Sequence, residues 1–160
     1  MKQHLEFNIF ADYFQFYLQD ENAKGDLSES WTQEAVDRLL ALAPGTIGVG
    51  TVRNMDVPVV VEIADGAPVD NLSEWDQINE CSVDVPSGRL VIAGCTDYFP
   101  DARRIELAPE AYRARIYYGD LDSLSADGLD GRDHYRIVLW RAESEPLKIV
   151  KQRARKESAG

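Results

Sequence analysis

The amino-acid sequence predicts a mainly β protein, a two-layer antiparallel β-sandwich of about eight strands with one short α-helix. The first observation is the alternation of residues 13–18 (YFQFYL), which places Phe14, Phe16 and Leu18 on one face, a pattern typical of a half-buried strand. The second is the series of further short apolar runs separated by clusters of Gly, Pro, Asn and Asp. The third is that helical spacing occurs in a single stretch. We therefore expect residues 13–18 to form the central strand of the fold.

The predicted strands follow the apolar runs along the chain. Residues 5–10 form or lead into a first strand, and the other runs are 13–18, 46–53, 57–63, 75–85, 89–95, 105–107, 112–118 and 135–140. Pro86-Ser87-Gly88 separates two of these runs and predicts a β-hairpin that joins 75–85 to 89–95. About eight strands with a single helix are typical of two packed antiparallel sheets.

The one predicted helix begins at Ser30. Ser30 is the expected N-cap, and Gln33 stands in the capping-box position three residues later. Four apolar residues then follow spacings of four and three and share one face: Trp31, Ala35, Leu39 and Leu42. We expect the helix to end at 43–45 (APG), because proline and glycine terminate helices.

The chain length and the charge distribution suggest one domain with a separate tail. The 160 residues fit a single β-sandwich domain over 1–147, followed by a basic, flexible tail over 148–160. The chain carries 28 acidic and 17 basic residues, for a net charge of −11. Without the tail the imbalance is larger, with 27 acidic against 12 basic residues. A body of this charge repels nucleic acid and anionic membranes and favours a basic protein partner.

The sequence predicts a cytoplasmic protein. No apolar run approaches the roughly 20 residues that span a bilayer, and Glu6 and Asn8 interrupt what would be the apolar part of a signal peptide. Cys81 and Cys95 do not form a metal-type pair, and two cysteines are too few for a secreted disulfide scaffold. We expect both thiols to be reduced and half-buried.

Few residues suggest catalysis. His4 and His134 are the only histidines, and both are expected at the surface. Asp133 directly precedes His134, but successive residues of a strand point to opposite faces, so the pair does not suggest a catalytic triad. The chain has no glycine-rich phosphate loop and no nucleophile elbow. We therefore expect no enzymatic activity.

A long acidic loop, residues 119–133, is the strongest candidate for metal binding. Its carboxylates are Asp120, Asp122, Asp127, Asp130 and Asp133. Asp120-Leu121-Asp122 begins like an EF-hand, but Leu124 occupies the third ligand position. The prediction is a solvated acidic loop with no metal and no cofactor.

Several short matches in a fixed order resemble the bacterial competence protein J family, whose best-known member inhibits a DNA-entry nuclease. They are Tyr13-Phe14-Gln15-Phe16, Trp31-Thr32-Gln33-Glu34-Ala35, Gly45-Thr46-Ile47, Val83-Asp84-Val85 with Leu90-Val91-Ile92, and Ile105-Glu106-Leu107 before Tyr112. The resemblance covers residues 5–141. It implies a small intracellular protein that binds another protein and catalyses nothing.

The resemblance and the charge together predict an acidic protein-binding module, an inhibitor or immunity-type partner of a nuclease or other basic protein. The expected contact face comprises Tyr17, Tyr98, Asp120, Asp122, Asp127, Asp130 and Asp133. No direct contact with nucleic acid and no membrane insertion are expected.

Two alternative functions remain open at this stage. One is a small-molecule or carbohydrate-binding sandwich, assisted by calcium, with Trp75, Tyr98 and Trp140 as stacking surfaces. The other is a hydrolase, which would require buried carboxylates that converge in a cleft.

Overall fold

A computed structural model describes residues 3–69 and 71–154 of the chain. The strands are β1 (Gln3–Phe10), β2 (Gln15–Asp20), β3 (Leu40–Ala43), β4 (Thr46–Gly50), β5 (Asp56–Ile63), β6 (Gln77–Asp84), β7 (Arg89–Gly94), β8 (Arg103–Glu106), β9 (Ala111–Gly119), β10 (His134–Arg141) and β11 (Lys148–Lys151). The helix α1 (Gln33–Arg38) precedes β3, and short 3-10 turns lie at Asp12–Phe14, Leu72–Glu74 and Phe99–Asp101.

The strands form two sheets. The large sheet has the order β1-β5-β10-β9-β6-β11, and the small sheet has the order β3-β4-β2-β7-β8. The mainly β architecture with one short helix is confirmed. The strand pairs are antiparallel except that β10 runs parallel to β5. Eleven strands in the described part of the chain exceed the predicted number, because the sheet edges include short strands that the hydrophobic pattern did not predict.

The core lies between the two sheets. β2 is the middle strand of the small sheet, and its Phe16 and Leu18 are fully buried. From the large sheet, Ile116 on β9 and Ile137 on β10 are fully buried in the same core cluster. The prediction of a central strand in this stretch is confirmed for β2, but the strand begins only at Gln15.

The predicted helix is wrong in its bounds. Thr32, not Ser30, is the N-cap, and its side-chain oxygen accepts a hydrogen bond from the Ala35 amide at 3.2 Å. The helix ends at Arg38, and its C-cap Leu39 adopts a left-handed conformation (φ 62°). The following residues, 40–43 (LALA), favour helix by composition, yet pairing with β4 buries Leu40 completely. Tertiary burial outweighed local helix propensity here.

The predicted hairpin around 86–88 is also wrong. The turn exists, with a hydrogen bond from the Gly88 amide to the Val85 carbonyl of 3.1 Å. However, β6 pairs with β9 in the large sheet and β7 pairs with β2 in the small sheet, so the turn connects the two sheets. The buried Asp20 fixes this crossing, because its carboxylate accepts hydrogen bonds from the Ser87 amide (3.0 Å) and hydroxyl (2.6 Å).

The tail prediction needs correction over Lys148–Lys151. These residues form β11, an edge strand antiparallel to β6, in place of the expected flexible tail. The strand is extended by a hydrogen bond of 2.9 Å from the Arg153 amide to the buried Gln77 side chain. The β6 edge supplies backbone partners that the sequence of the tail alone does not indicate. Residues 155–160 lie outside the described residues.

Candidate functional site

Several loops leave the sandwich at the same end, which we call the loop end. The strand registers place Phe10 opposite Asp56, Gly119 opposite His134, and Phe16 opposite Gly94. The connections at this end are therefore residues 11–14, 51–55, 95–102 and 120–133, and α1 enters β3 there as well. The loop end gathers residues that are far apart in the sequence.

The acidic loop at this end is ordered by its own hydrogen bonds. The Asp127 carboxylate accepts from the Ser125 hydroxyl at 2.6 Å and from the Leu129 amide at 3.0 Å. These hydrogen bonds, the Ser125 one above all, hold the pKa of Asp127 below its usual value. The Ser125 amide also donates to the Asp130 carbonyl at 2.8 Å. Four of the five predicted carboxylates are exposed on this loop: Asp120, Asp122, Asp127 and Asp130.

Asp133, the fifth predicted contact residue, is completely buried. Its carboxylate lies 2.8 Å from the Arg53 guanidinium and accepts a 2.8 Å hydrogen bond from the Tyr135 hydroxyl. Burial raises the pKa of the Tyr135 phenol well above its usual value, so it remains a proton donor to this carboxylate. Asp133 therefore anchors the acidic loop to the sandwich, and its side chain does not reach a contact face.

The two predicted tyrosines differ in exposure. Tyr98 is 71% exposed and follows β7 at the loop end. Tyr17 is half-buried on the outer face of the small sheet, in a cavity of about 520 Å³ that Trp31, Cys95 and Phe99 also line. Burial raises the pKa of Tyr17, and the nearby Cys95 raises it further. Tyr98 thus lies at the same end of the sandwich as the acidic loop, whereas Tyr17 lies on the outer face of the small sheet.

The sequence analysis missed a pair of exposed aromatic residues within the 3-10 turn Asp12–Phe14, which we call the aromatic turn. Tyr13 is 70% exposed and Phe14 is 52% exposed, and both have a left-handed backbone with φ of 60°. This conformation costs roughly 1–2 kcal/mol for each residue with a side chain. The alternation of 13–18 concealed the turn, because aromatic residues at strand spacing are more often buried. Asp12 was the one available signal, since its carboxylate caps the Tyr13 amide at 3.0 Å.

The aromatic turn borders an apolar groove of about 470 Å³, which we call the aromatic groove. Its chief lining residues are Tyr13, Phe14, Trp31, Val36, Leu39 and Gly50. Trp31 is held by a 3.0 Å hydrogen bond from its indole nitrogen to the Gln15 side chain. A side chain on Gly50 would meet the Leu39 backbone at 3.1 Å, so the groove depends on glycine there.

Several basic residues of the body lie away from the loop end and pair with acidic side chains. At the opposite end Arg89 and Arg104 both contact Glu21, and the Arg141 guanidinium lies 2.7 Å from Glu110. On the outer face of the large sheet the guanidinium groups of Arg115 and Arg136 lie 3.1 Å and 2.9 Å from Glu80 and Glu62. At the acidic loop, the His134 imidazole lies 3.7 Å from the Asp120 carboxylate, and Arg132 is exposed.

The three residues proposed for carbohydrate stacking do not form one surface. Trp75 packs against Tyr117 and His134, with ring centroids 5.1 Å from each. Trp140 is 8% exposed and belongs to the same small cluster on the outer face of the large sheet, whereas Tyr98 follows β7 of the small sheet. Among residues 3–69 and 71–154, no group of three or more His, Cys, Asp or Glu side chains has a geometry that could hold a metal ion. The described helices include none that is long and apolar enough to cross a membrane.

Two solved structures superpose on most of this chain. ComJ from Bacillus subtilis, described as an inhibitor of the DNA-degrading activity of NucA, superposes with a TM-score of 0.70 over 89% of this chain and 99% of that chain, at 16% sequence identity. The chain has the ComJ fold. A second structure, described as Crocagin biosynthetic gene J, superposes with a TM-score of 0.61 over the same shares of both chains, at 22% identity. These likenesses confirm the fold that the resemblance to the competence protein J family implied.

Sequence comparison adds no further relative of this ComJ-fold chain. No protein-family model matches it, and no curated protein matches it. At these low identities the structural likeness establishes the fold, and the positions of individual functional residues must be argued from this chain.

Proposed function

We propose that this ComJ-fold protein is a non-catalytic inhibitor of a nuclease and that it binds its partner through the loop end. The observation that carries the proposal is the exposure of Asp120, Asp122, Asp127 and Asp130 on one ordered loop at the loop end. The fold shared with ComJ, which inhibits a nuclease, supports the same function.

Electrostatic complementarity explains how such a surface inhibits a nuclease. An enzyme that cleaves DNA binds the phosphate backbone with lysine and arginine side chains. Carboxylates held on a fixed loop occupy the positions that phosphates would take and exclude the substrate. Because Asp133 ties the base of the loop to Arg53 and Tyr135, little conformational entropy is lost on binding.

The partner is expected to be a basic protein of the cytoplasm. Neither cysteine forms a disulfide: Cys81 is buried and Cys95 is exposed. A reducing compartment keeps such thiols free. The proposal includes no metal and no cofactor.

The test is the effect of the purified protein on DNA degradation. We would measure cleavage of fluorescently labelled duplex DNA by NucA, and by an extract of the cells that encode this protein, while the inhibitor concentration is raised. The expected result is loss of activity near equimolar ratio, weakened by salt. Full activity at about a tenfold molar excess in both assays would show that the protein is not a nuclease inhibitor. Divalent metal ion in large excess controls for sequestration of metal by the acidic protein.

A further inference from the structure

The aromatic groove is an apolar surface that the described part of the chain leaves open to solvent. Tyr13, Phe14 and Val36 on its walls are 70%, 52% and 49% exposed. Exposed apolar residues are common when they are single, but three that border one concave groove indicate a surface that binds something.

The backbone of the aromatic turn shows that its residues were not selected for folding. Four described residues other than glycine have a left-handed backbone, and three of them line the groove: Tyr13, Phe14 and Leu39. Glycine or asparagine adopts this conformation with little strain, and an exposed aromatic ring recovers little of the cost by packing. Aromatic residues at positions 13 and 14 are therefore better explained by contact with a partner.

The groove is also preorganised. The Thr51 amide donates to the Phe14 carbonyl at 2.8 Å, and the Phe14 amide donates to the Ala11 carbonyl at 3.1 Å. On the floor, the Leu39 carbonyl accepts hydrogen bonds from the buried Tyr118 hydroxyl at 2.6 Å and from the Gly50 amide at 2.9 Å. A fixed groove of this kind binds without a large loss of conformational entropy.

Carboxylates lie in the segments that form the groove and in the neighbouring cavity, and they indicate the chemistry of its occupant. Asp12 lies within the aromatic turn, and Glu34 lies on the same helix as Val36. On the other side of Val36 lies a cavity of about 680 Å³, whose acidic residues are Asp37, Asp76 and Asp122 and whose basic residues are Lys151 and Arg153. Arg38 is the basic residue of the same helix, so five carboxylates stand against three basic residues around the groove. An apolar groove with this excess of carboxylates around it fits an apolar side chain that has cationic neighbours.

We propose that the aromatic groove receives one apolar side chain from a loop of a cationic protein, and that carboxylates on its rim bind the lysines or arginines on either side. This inference rests on the proposed function, since it specifies how the nuclease is held. The groove supplies the buried centre of the interface and the acidic loop supplies its charged periphery, the arrangement in which a few central residues carry most of the affinity.

Two short peptides test the inference without a nuclease. One is acetyl-Lys-Lys-Phe-Lys-Lys-amide, and the other has serine in place of phenylalanine. Binding to the full-length, ¹⁵N-labelled protein is followed by NMR, using the Trp31 indole and the Val36 and Gly50 amides as reporters. We expect the phenylalanine peptide to bind about tenfold more tightly, the effect of partly burying one apolar side chain. Equal affinity of the two peptides, or shifts confined to other residues, would overturn the inference.

Variants of the protein sharpen this experiment. Phe14→Asn keeps a residue that tolerates the left-handed backbone but removes the ring, so we expect it to abolish the preference for the phenylalanine peptide. Val69→Asn is the matched control, because Val69 is fully exposed and lies in the loop between β5 and β6, outside the groove. Thermal melting verifies that both variants are folded. A preference that survives Phe14→Asn would count against the groove.

The outcomes separate this inference from the proposed function. If Phe14→Asn leaves nuclease inhibition unchanged and the protein shows no preference between the peptides, the groove is not a binding site. The proposed inhibitor function would still stand. A clear peptide preference without nuclease inhibition would support the groove and reject the nuclease as partner. Sedimentation velocity tests whether a second copy of this chain occupies the groove. A dimer that dissociates in the Phe14→Asn variant would overturn the assignment to a cationic partner.

Discussion

Asp133 and Tyr135 are joined by a 2.8 Å hydrogen bond between two almost completely buried side chains. Their spacing of two residues places both on the core side of the chain as it enters β10. Arg53 completes the group from the connection between β4 and β5, with its guanidinium 2.8 Å from the Asp133 carboxylate. This contact fixes the acidic loop to the loop that supports the aromatic turn.

Loss of the buried Asp133 carboxylate should destabilise the protein strongly. Asp133→Ala leaves the Arg53 charge without its partner, and we expect a decrease of about 3–5 kcal/mol in the free energy of unfolding. Tyr135→Phe removes one hydroxyl and should cost about 1–2 kcal/mol. Urea denaturation measures both. Asp130→Ala is the control, because this exposed carboxylate should change stability by no more than about 0.5 kcal/mol. If Asp133→Ala were as mild as Asp130→Ala, the anchoring role would be wrong.

Removing the side chain of Tyr13 should stabilise the fold. Tyr13→Gly relieves the left-handed strain, and we expect an increase of about 1 kcal/mol in the free energy of unfolding. Tyr98→Gly is a closely matched control, since Tyr98 is 71% exposed but has an ordinary φ of −72°. That change should be neutral or destabilising, because glycine adds entropy to the unfolded chain. Thermal and urea denaturation measure the change in the free energy of unfolding for both variants. Equal changes at the two positions would contradict the backbone strain at Tyr13.

Neutralising the acidic loop should weaken inhibition and its dependence on salt. In the double variant Asp120→Asn, Asp130→Asn we expect the affinity for the nuclease at low ionic strength to fall about three- to tenfold, mainly through slower association. We also expect this affinity to depend less steeply on salt concentration. Glu106→Gln with Glu143→Gln is the control, because these exposed glutamates lie at the end opposite the acidic loop. Association rates at two salt concentrations provide the measurement. A similar loss in both double variants would indicate a net-charge effect without a defined contact face.

The two cysteines should differ in reactivity. Burial raises the pKa of the Cys81 thiol to about 12, and the side chain is completely buried. Partial burial, with Asp12 nearby, also raises the pKa of the exposed Cys95. A disulfide reagent should modify one thiol slowly in the native protein and both thiols in urea. Because the thiolate is the reactive form, the native reaction should become faster as the pH rises. Cys95→Ser should abolish the native reaction, and persistence of that reaction would place the accessible thiol at Cys81.

Acid should remove the contribution of Glu21 to stability. A hydrogen bond from Arg89 lowers the pKa of Glu21, and Arg104 adds to the effect. A carboxyl whose pKa is lower in the folded state stabilises the protein above its unfolded pKa, and this contribution disappears as pH falls through the folded pKa. Wild type should therefore lose more stability than Glu21→Gln between about pH 6 and pH 3. Urea denaturation at both pH values measures the difference, and parallel losses in the two proteins would contradict the ion-pair assignment.

The strength of the sequence prediction varied with the kind of residue pattern. The apolar runs that became β5, β9 and β10 were located correctly, because a strand that packs against the core needs apolar residues. Residues 40–43 were assigned to the helix, because local propensity does not include the partner strand β4 that buries Leu40. The turn at 86–88 was found, but the two strands that it connects belong to different sheets.

The candidate site was predictable only in part, for the same reason. Four exposed aspartates of the acidic loop were identified by composition alone. The burial of Asp133 depends on Arg53 and Tyr135, and only the fold brings Arg53 there. The aromatic groove was missed because Tyr13 continues the alternating pattern of β2 and turns out of it only in three dimensions.

By itself, the sequence determined a mainly β, acidic chain with its excess of carboxylates and its central strand, because these properties depend on composition and on the period of hydrophobic residues. The tertiary structure decided which strands pair, which aspartates face solvent, and that aromatic and acidic residues meet at one end. Those outcomes depend on contacts between segments far apart in the chain, which local sequence patterns do not predict.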